Sequence, residues 1–191
     1  MQNSITSLKP FSQRILIVSL IILITLGYAY QKRKIYLSLT SIHGPVLKHL
    51  PKFKIENFFT GKNEDSSNFL KNSKGTLFHF WGTWCGPCAV EFPSIMKFSV
   101  ELKKHGINLV LVDVNDTKIK AKKFLRKFSK YRSDNLFFTF DEKGKTMPLF
   151  GTSKVPETFL FDSKGNHLKK YVGPQEWENK RYLTQILDFL K

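Results

Sequence analysis

The chain opens on an unbroken apolar run and then changes its period. Ile15 to Tyr30 contains no charge, and Gln31 extends the uncharged stretch by one. A membrane-spanning helix needs about 17–25 such residues, so this run sits at the short end of that range. It is apolar on every side, which argues against a surface helix with one buried face. Lys9 and Arg14 precede it, Lys32, Arg33 and Lys34 follow it, and Tyr28, Tyr30 and Tyr36 are of the type that sits at membrane interfaces. We therefore expect residues 1–34 to form an N-terminal membrane anchor with basic flanks. A cleaved signal peptide is the competing reading, because Gly27-Tyr28-Ala29 offers small residues where a signal peptidase cuts. The Lys-Arg-Lys behind the run favours a retained anchor. Residues 35–50 read as a linker and 51–191 as one globular domain, with no repeat or low-complexity tract.

Beyond Pro51 the apolar positions alternate between strand and helix spacing. Phe53 to Asn57 alternates and Thr60-Gly61-Lys62 follows as a turn, the signature of a short strand and hairpin. Asp65–Leu70 fits a short helical turn. Gly75–Trp81 and Asn108–Val114 are continuous apolar runs, as in strands buried on both faces of a parallel sheet. Between them Val90, Ile95, Phe98 and Leu102 recur at helical spacing over Ala89–His105, and Gly106 is a natural stop. Thr117–Tyr131 is basic and amphipathic. Leu136–Phe140 and Thr158–Asp162 read as strands, and Ser163–Asn166 as the hairpin turn into His167–Tyr171. Gln175–Leu190 reads as a closing amphipathic helix. This order predicts an α/β domain with a mixed central sheet and helices on both faces.

Charge and composition narrow the function. The net charge is +16, and setting aside the five bases that flank the apolar run leaves 26 basic and 15 acidic residues. Such a surplus is drawn to anionic lipid, nucleic acid or acidic proteins. The densest run, Lys118, Lys120, Lys122, Lys123, Arg126, Lys127 and Lys130, reads as the solvated face of a helix, and no nucleic-acid motif accompanies it. No nucleic-acid partner is expected. The 18 phenylalanines read as core.

Only two cysteines are present, Cys85 and Cys88, in Trp84-Cys85-Gly86-Pro87-Cys88. A disulfide-stapled scaffold needs more, a zinc site needs further ligands, and Ala89 stands where a haem-attachment motif has His. A lone C-x-x-C points to redox chemistry, with no metal and no cofactor other than the pair itself. The thiolate is the reactive form in disulfide exchange, so the attacking cysteine needs a lowered pKa. Cys85 falls at a strand-to-helix junction, where free backbone N–H groups and the helix dipole favour negative charge. Pro87 falls in the first turn, where its missing N–H costs nothing. Cys85 is thus expected to attack and Cys88 to resolve. Val155-Pro156 precedes a strand; an ordinary strand-start proline and a cis-proline in a tight turn both stay open. Glu91, three residues after Cys88, could be a proton acceptor or a surface acid near a helix start. His79, on the preceding strand, could join a proton relay or be a satisfied core histidine.

Phe80-Trp81-Gly82-Thr83-Trp84-Cys85-Gly86-Pro87-Cys88, followed by Glu91-Phe92-Pro93, resembles the TlpA/ResA/CcmG (DsbE) group of thioredoxin-like proteins. So does Val155-Pro156-Glu157-Thr158-Phe159-Leu160-Phe161-Asp162, with Gly151 before it and Gly165 and Gly173 after it. The resemblance spans about Pro51 to Leu190. It implies a thioredoxin-like fold with an N-terminal hairpin extension, and Pro156 as a cis-proline facing the cysteines. It implies substrate-facing positions at Trp84, Gly86, Pro87, Val155 and Glu157, and an acidic group beside the site at Glu91. It also implies a single-pass protein of a bacterial inner membrane with its catalytic domain in the periplasm or other extracytoplasmic space. Such proteins reduce disulfides of envelope proteins such as apocytochrome c and draw electrons from a membrane donor. A count of flanking charges alone would leave the domain in the cytoplasm, since the C-terminal flank is the more basic. His79 departs from the pattern, since thioredoxin has a buried Asp there. Gly86-Pro87 matches reducing thioredoxins. A disulfide-forming oxidase or isomerase on the same fold, and a copper-binding envelope chaperone using the two thiols, are the alternatives.

Overall fold

The computed structural model describes residues 10–40 and 47–191, with side chains over 15–32 and 47–191. Lys9, the side chains of Arg14, Arg33, Lys34 and Tyr36, and positions 41–46 of the expected linker lie outside the described residues. The chain divides into two compact units at Gly44/Pro45.

The first unit contains α1, Pro10–Thr40. Within it Ile15–Lys32 is long and apolar enough to cross a membrane. Ser19 and Thr25, the aliphatic hydroxyl residues in this stretch, donate back to the Leu16 and Ile22 carbonyls at 2.9 Å. Neither hydroxyl is left to seek water from an apolar surround. The linker expected from residue 35 instead starts as helix, which continues through Thr40.

The second unit begins earlier than residue 51. Leu50 donates to Gly165 O at 2.8 Å, His167 donates to Lys48 O at 2.9 Å, and His49 bridges to Asn166. Its sheet has seven strands: β1 Lys54–Asn57, β2 Asn63–Asp65, β3 Gly75–Trp81, β4 Ile107–Val114, β5 Leu136–Asp141, β6 Glu157–Asp162 and β7 His167–Val172, in the order β2-β1-β5-β4-β3-β6-β7. β3, β4 and β5 are parallel to one another, and the remaining pairings are antiparallel. β3 and β4 are buried along their whole lengths, as their continuous apolar runs require.

The two parallel crossovers step in the same direction across the sheet. Right-handed connections then put both crossover helices on one face. That face carries α2 Gly86–Lys104, α3 Lys118–Leu125 and the closing α4 Lys180–Phe189, packed over Leu77, Trp81, Leu109, Leu111 and Leu160. The opposite face is covered by short 3₁₀ turns at Ser66–Leu70 and Met147–Phe150 and by Leu47, Leu50 and Phe53. There the phenylalanines form one block. Phe150 lies 4.8–5.9 Å, centroid to centroid, from Phe53, Phe78, Phe80, Phe159 and Phe161. Offset and edge-on rings at such spacing add to the burial itself.

Two helices are shorter than their periodicity predicts. The basic helix stops at Leu125 and tightens to a 3₁₀ segment, Arg126–Tyr131. The C-terminal helix starts at Lys180, where the Asn179 side chain caps it by accepting from Arg181 N at 3.1 Å. Residues 174–179 are instead a loop.

Phe150→Ala should destabilise the domain by about 3–5 kcal/mol through loss of this block. Urea unfolding should show a lower midpoint with an unchanged slope.

Candidate active site

β3 ends at Trp81, and the chain turns through Gly82, Thr83 and Trp84 into α2. Trp84 folds back over Gly82; a Cβ there would lie 2.5 Å from Trp84 Nε1, so only glycine fits. Cys85 is the N-cap of α2, in extended backbone, and its Sγ accepts from Cys88 N at 3.2 Å. The sulfur thus takes the place of the usual oxygen cap, where the helix presents unpaired N–H groups. Cys85 and Cys88 are joined as a disulfide. Cys88 is fully buried, and Cys85 is the more accessible of the two.

The peptide bond Val155–Pro156 is cis, as the family pattern implied, and Pro156 leads into β6. Cys85 Sγ lies 3.8 Å from Val155 O. Trp84, 55% exposed, surrounds the sulfur's approach together with the exposed Gly86 and Pro87, while Val155 is half-buried. Glu157 does not belong to this surface. It pairs in register with Phe80, which lies in the phenylalanine block, so strand alternation turns its side chain to the face away from α2. It is buried there and ion-paired with Lys170 at 2.7 Å. The expectation that Glu157 faces substrate is corrected on that ground.

Glu91 is buried on α2, one turn beyond Cys88. Residues three apart on a helix are neighbours, with Cβ atoms about 5–6 Å apart. Its Oε1 accepts from Gln175 N at 3.2 Å and from the Trp177 indole N–H, while Oε2 is buried without a partner. Burial pushes its carboxyl up to about 7, although both hydrogen bonds pull the other way. His79 is fully buried between Leu77 and Trp81 on the same face, its Nδ1 2.9 Å from Thr158 Oγ1. Burial lowers it to about 3, so the ring stays neutral near pH 7. Glu91 is therefore better matched than His79 to exchange a proton at neutral pH.

Four residues of this neighbourhood escaped the sequence reading. Gln175 and Trp177 sit in the loop that had read as helix; Gly173-Pro174 and the capping Asn179 mark the break. Asp113, at the end of β4, falls inside a run that reads only as a buried strand, and Asp116, just past it, carries no sequence signal. Both are buried beside the Gly82–Trp84 turn.

A buried N-cap disulfide, an adjoining cis-proline and a near-neutral carboxyl on a thioredoxin-like fold define a thiol–disulfide oxidoreductase. Residues 46–186 match the Redoxin family model, and the chain belongs to that family. It is 31% identical over 134 residues to the thiol-disulfide oxidoreductase ResA of a Bacillus cereus strain, covering 68% of this chain and 75% of that protein. It is 29% identical over 142 residues to ResA of Bacillus thuringiensis subsp. konkukian, covering 73% and 77%. Among solved structures it is similar to a putative thiol:disulfide interchange protein DsbE from Chlorobium tepidum, with TM-score 0.64, 28% identity, and coverage of 77% of this chain and 99% of that one. StoA from Bacillus subtilis shares the fold at TM-score 0.55 and 24% identity, over 73% and 99%.

The Glu91 shift has a definite sign. Its folded pKa of about 7 exceeds the ordinary value of 4.5, so between those values the folded state holds a proton that the unfolded chain has released. Stability falls as pH rises through that window, by up to about 1.4 kcal/mol per pH unit. Glu91→Gln should remove this component. Urea midpoints at pH 5 and pH 8 should differ less in Glu91→Gln than in the parent chain.

Proposed function

We propose that this chain is a membrane-anchored, extracytoplasmic reductase of protein disulfides, acting on envelope proteins such as apocytochrome c. The observation that carries the proposal is the Cys85 sulfur at the N-cap of α2, the less buried of the pair, with Cys88 fully buried behind it. The Cys85 thiolate, held by the Cys88 N–H and the helix end, attacks a substrate disulfide. One substrate sulfur leaves as thiolate and takes a proton, and the other stays bonded to Cys85. Cys88 then loses its proton, with Glu91 as acceptor, and attacks Cys85 Sγ. The substrate leaves as a dithiol and Cys85–Cys88 is left as the disulfide. Pro156 and Val155 face the attacking sulfur, and Trp84, Gly86 and Pro87 form the surrounding contact surface. Neutral His79 orients the layer beneath through Thr158. Electrons pass through the cysteine pair with no further cofactor, and a dithiol donor in the membrane restores the pair.

One feature supports the location and another the activity. The apolar stretch Ile15–Lys32 has the length of an anchor. The relatives' names place them among proteins that exchange thiols and disulfides. The Gly86-Pro87 dipeptide supports the reducing direction.

Cys88→Ser should hold partners on Cys85 as mixed disulfides, and these should include proteins with haem-binding cysteine pairs. Trapping by Cys85→Ser but not by Cys88→Ser would reverse the two roles. The midpoint potential of the parent chain should lie below about −200 mV; a value well above that marks an oxidase or isomerase.

A further inference from the structure

The turn that carries Cys85 is held from behind by the β4–α3 junction. Asp116 Oδ2 accepts from Thr83 N at 2.7 Å and from Thr83 Oγ1 at 2.5 Å, and Asp116 Oδ1 accepts from Thr117 N at 2.7 Å. Three donors converging on one carboxyl are the pattern of a carboxylate. Beside them Trp84 Nε1 donates to Val114 O at 2.9 Å, and Cys85 N donates to Gly82 O at 3.1 Å. Thr83 and Trp84 are thus both tied to one short stretch, Val114–Asp116.

Asp113 completes the arrangement. Alternation along β4 puts it with Leu109 and Leu111 on the α2 face, next to Trp81, its register partner on β3. It is 1% exposed, and neither carboxyl oxygen has a hydrogen-bond donor. A buried carboxylate without a donor or a cation is costly, so the group takes a proton instead. His79, two residues before Trp81 on the same face of β3, has an unpartnered Nε2 and is kept neutral by burial, so it supplies no charge. Trp81 on β3 and Phe140, its register partner on β5, do not titrate. Lys118, at the start of α3, is exposed and paired with Glu56. α2 brings the cysteines and the acid Glu91. Asp116 is the remaining group, and it is an acid. Burial first, and the Asp116 charge second, push Asp113 up to about 8.

We propose that Asp116 and Asp113 are positioning residues for thiol–disulfide exchange: Asp116 clamps Thr83 and so fixes Trp84 and Cys85, and Asp113, buried beside Trp81 beneath the same turn, keeps the clamp closed while it stays uncharged. Loss of the Asp113 proton sets a buried negative charge beneath the turn, against the Asp116 carboxyl, and the clamp slackens. The effect concerns the Cys85–Cys88 pair in either redox direction, whatever protein is the substrate.

The test uses the full chain in detergent, and its first arm uses the disulfide form, in which neither cysteine titrates. The Glu91→Gln background removes the other near-neutral acid, which touches Trp177. Tryptophan fluorescence of that oxidised protein should show a transition near pH 8. The transition should vanish when Asp113→Asn is added, and shrink when Trp84→Phe is added. Its persistence with Asp113→Asn would overturn the proposal. In the second arm, Asp116→Ala should lower kcat/KM for disulfide reduction at pH 7 by tenfold or more, the scale on which small misplacements of a reacting group act (~10²-fold for 1 Å). Asp116→Asn, which keeps an acceptor for Thr83, should recover part of that loss. Thr83→Val, which removes only the hydroxyl donor, should give an intermediate loss and serves if Asp116→Ala does not fold. Profiles of kcat/KM against pH that superimpose on the parent for Asp116→Ala, or for Thr83→Val where that variant stands in, would overturn the clamp.

Discussion

The contact from the Cys88 N–H to Cys85 Sγ exists only while Cys85 stays at the cap of α2. One residue further into the helix, the sulfur would point along the helix side, away from the free N–H groups. One residue further out, it would hang on the turn with no donor at all. The rest of the domain can be read as what keeps Cys85 at that position. β3 fixes where the chain leaves the sheet, because it is flanked by β4 and β6 and buried on both faces. Gly82 allows the turn to be tight enough for Trp84 to lie back on it. Phe92, packed on Trp81 at 4.4 Å, fixes α2 against the end of the same strand.

The two faces of the sheet divide the labour. The face away from α2 is an aromatic block whose charged intrusion, Glu157, is cancelled by Lys170. The α2 face holds Cys88, Glu91, His79 and Asp113, all buried, and the unpartnered polar atoms of the last three face one another's layer. Right-handed crossovers explain the asymmetry. They bring α2 and α3 to one side, so that side gains helix termini and loop ends that can hold polar groups. The opposite side, covered by short turns, is filled with rings.

Much of this was legible from spacing. The cysteine pair announced itself because two cysteines three apart in an otherwise cysteine-free chain have few other uses. The central strands were legible because burial on both faces forbids polar alternation, and the β6–β7 turn because Ser163-Lys164-Gly165-Asn166 has hairpin composition, with Gly165 taking the positive φ of 83° that such a turn requires. The residues that were missed share a different property. Trp177 and Gln175 reach Glu91 across more than eighty positions, and local periodicity carries no trace of such a bond. Asp113 sits at the end of an apolar strand, where its neighbours' pattern hides it. Glu157 was misplaced because adjacency in sequence to Pro156 does not decide which face a strand residue takes; parity does.

The same parity explains why the buried acids sit where they do. A strand that ends behind an active-site turn must end with one side chain on each face. On β4 these are Val114, toward the rings, and Asp113, toward α2. An apolar residue in place of Asp113 would fill the space beside Trp81 more cheaply, since it avoids burying a carboxyl. A carboxyl there has the one property an apolar side chain lacks, a proton that it can lose. Its neighbour Asp116 spends its hydrogen bonds on Thr83 and Thr117. A buried acid without donors, set against an acid that holds the turn before Cys85, therefore makes sense as part of the control of that turn rather than as packing.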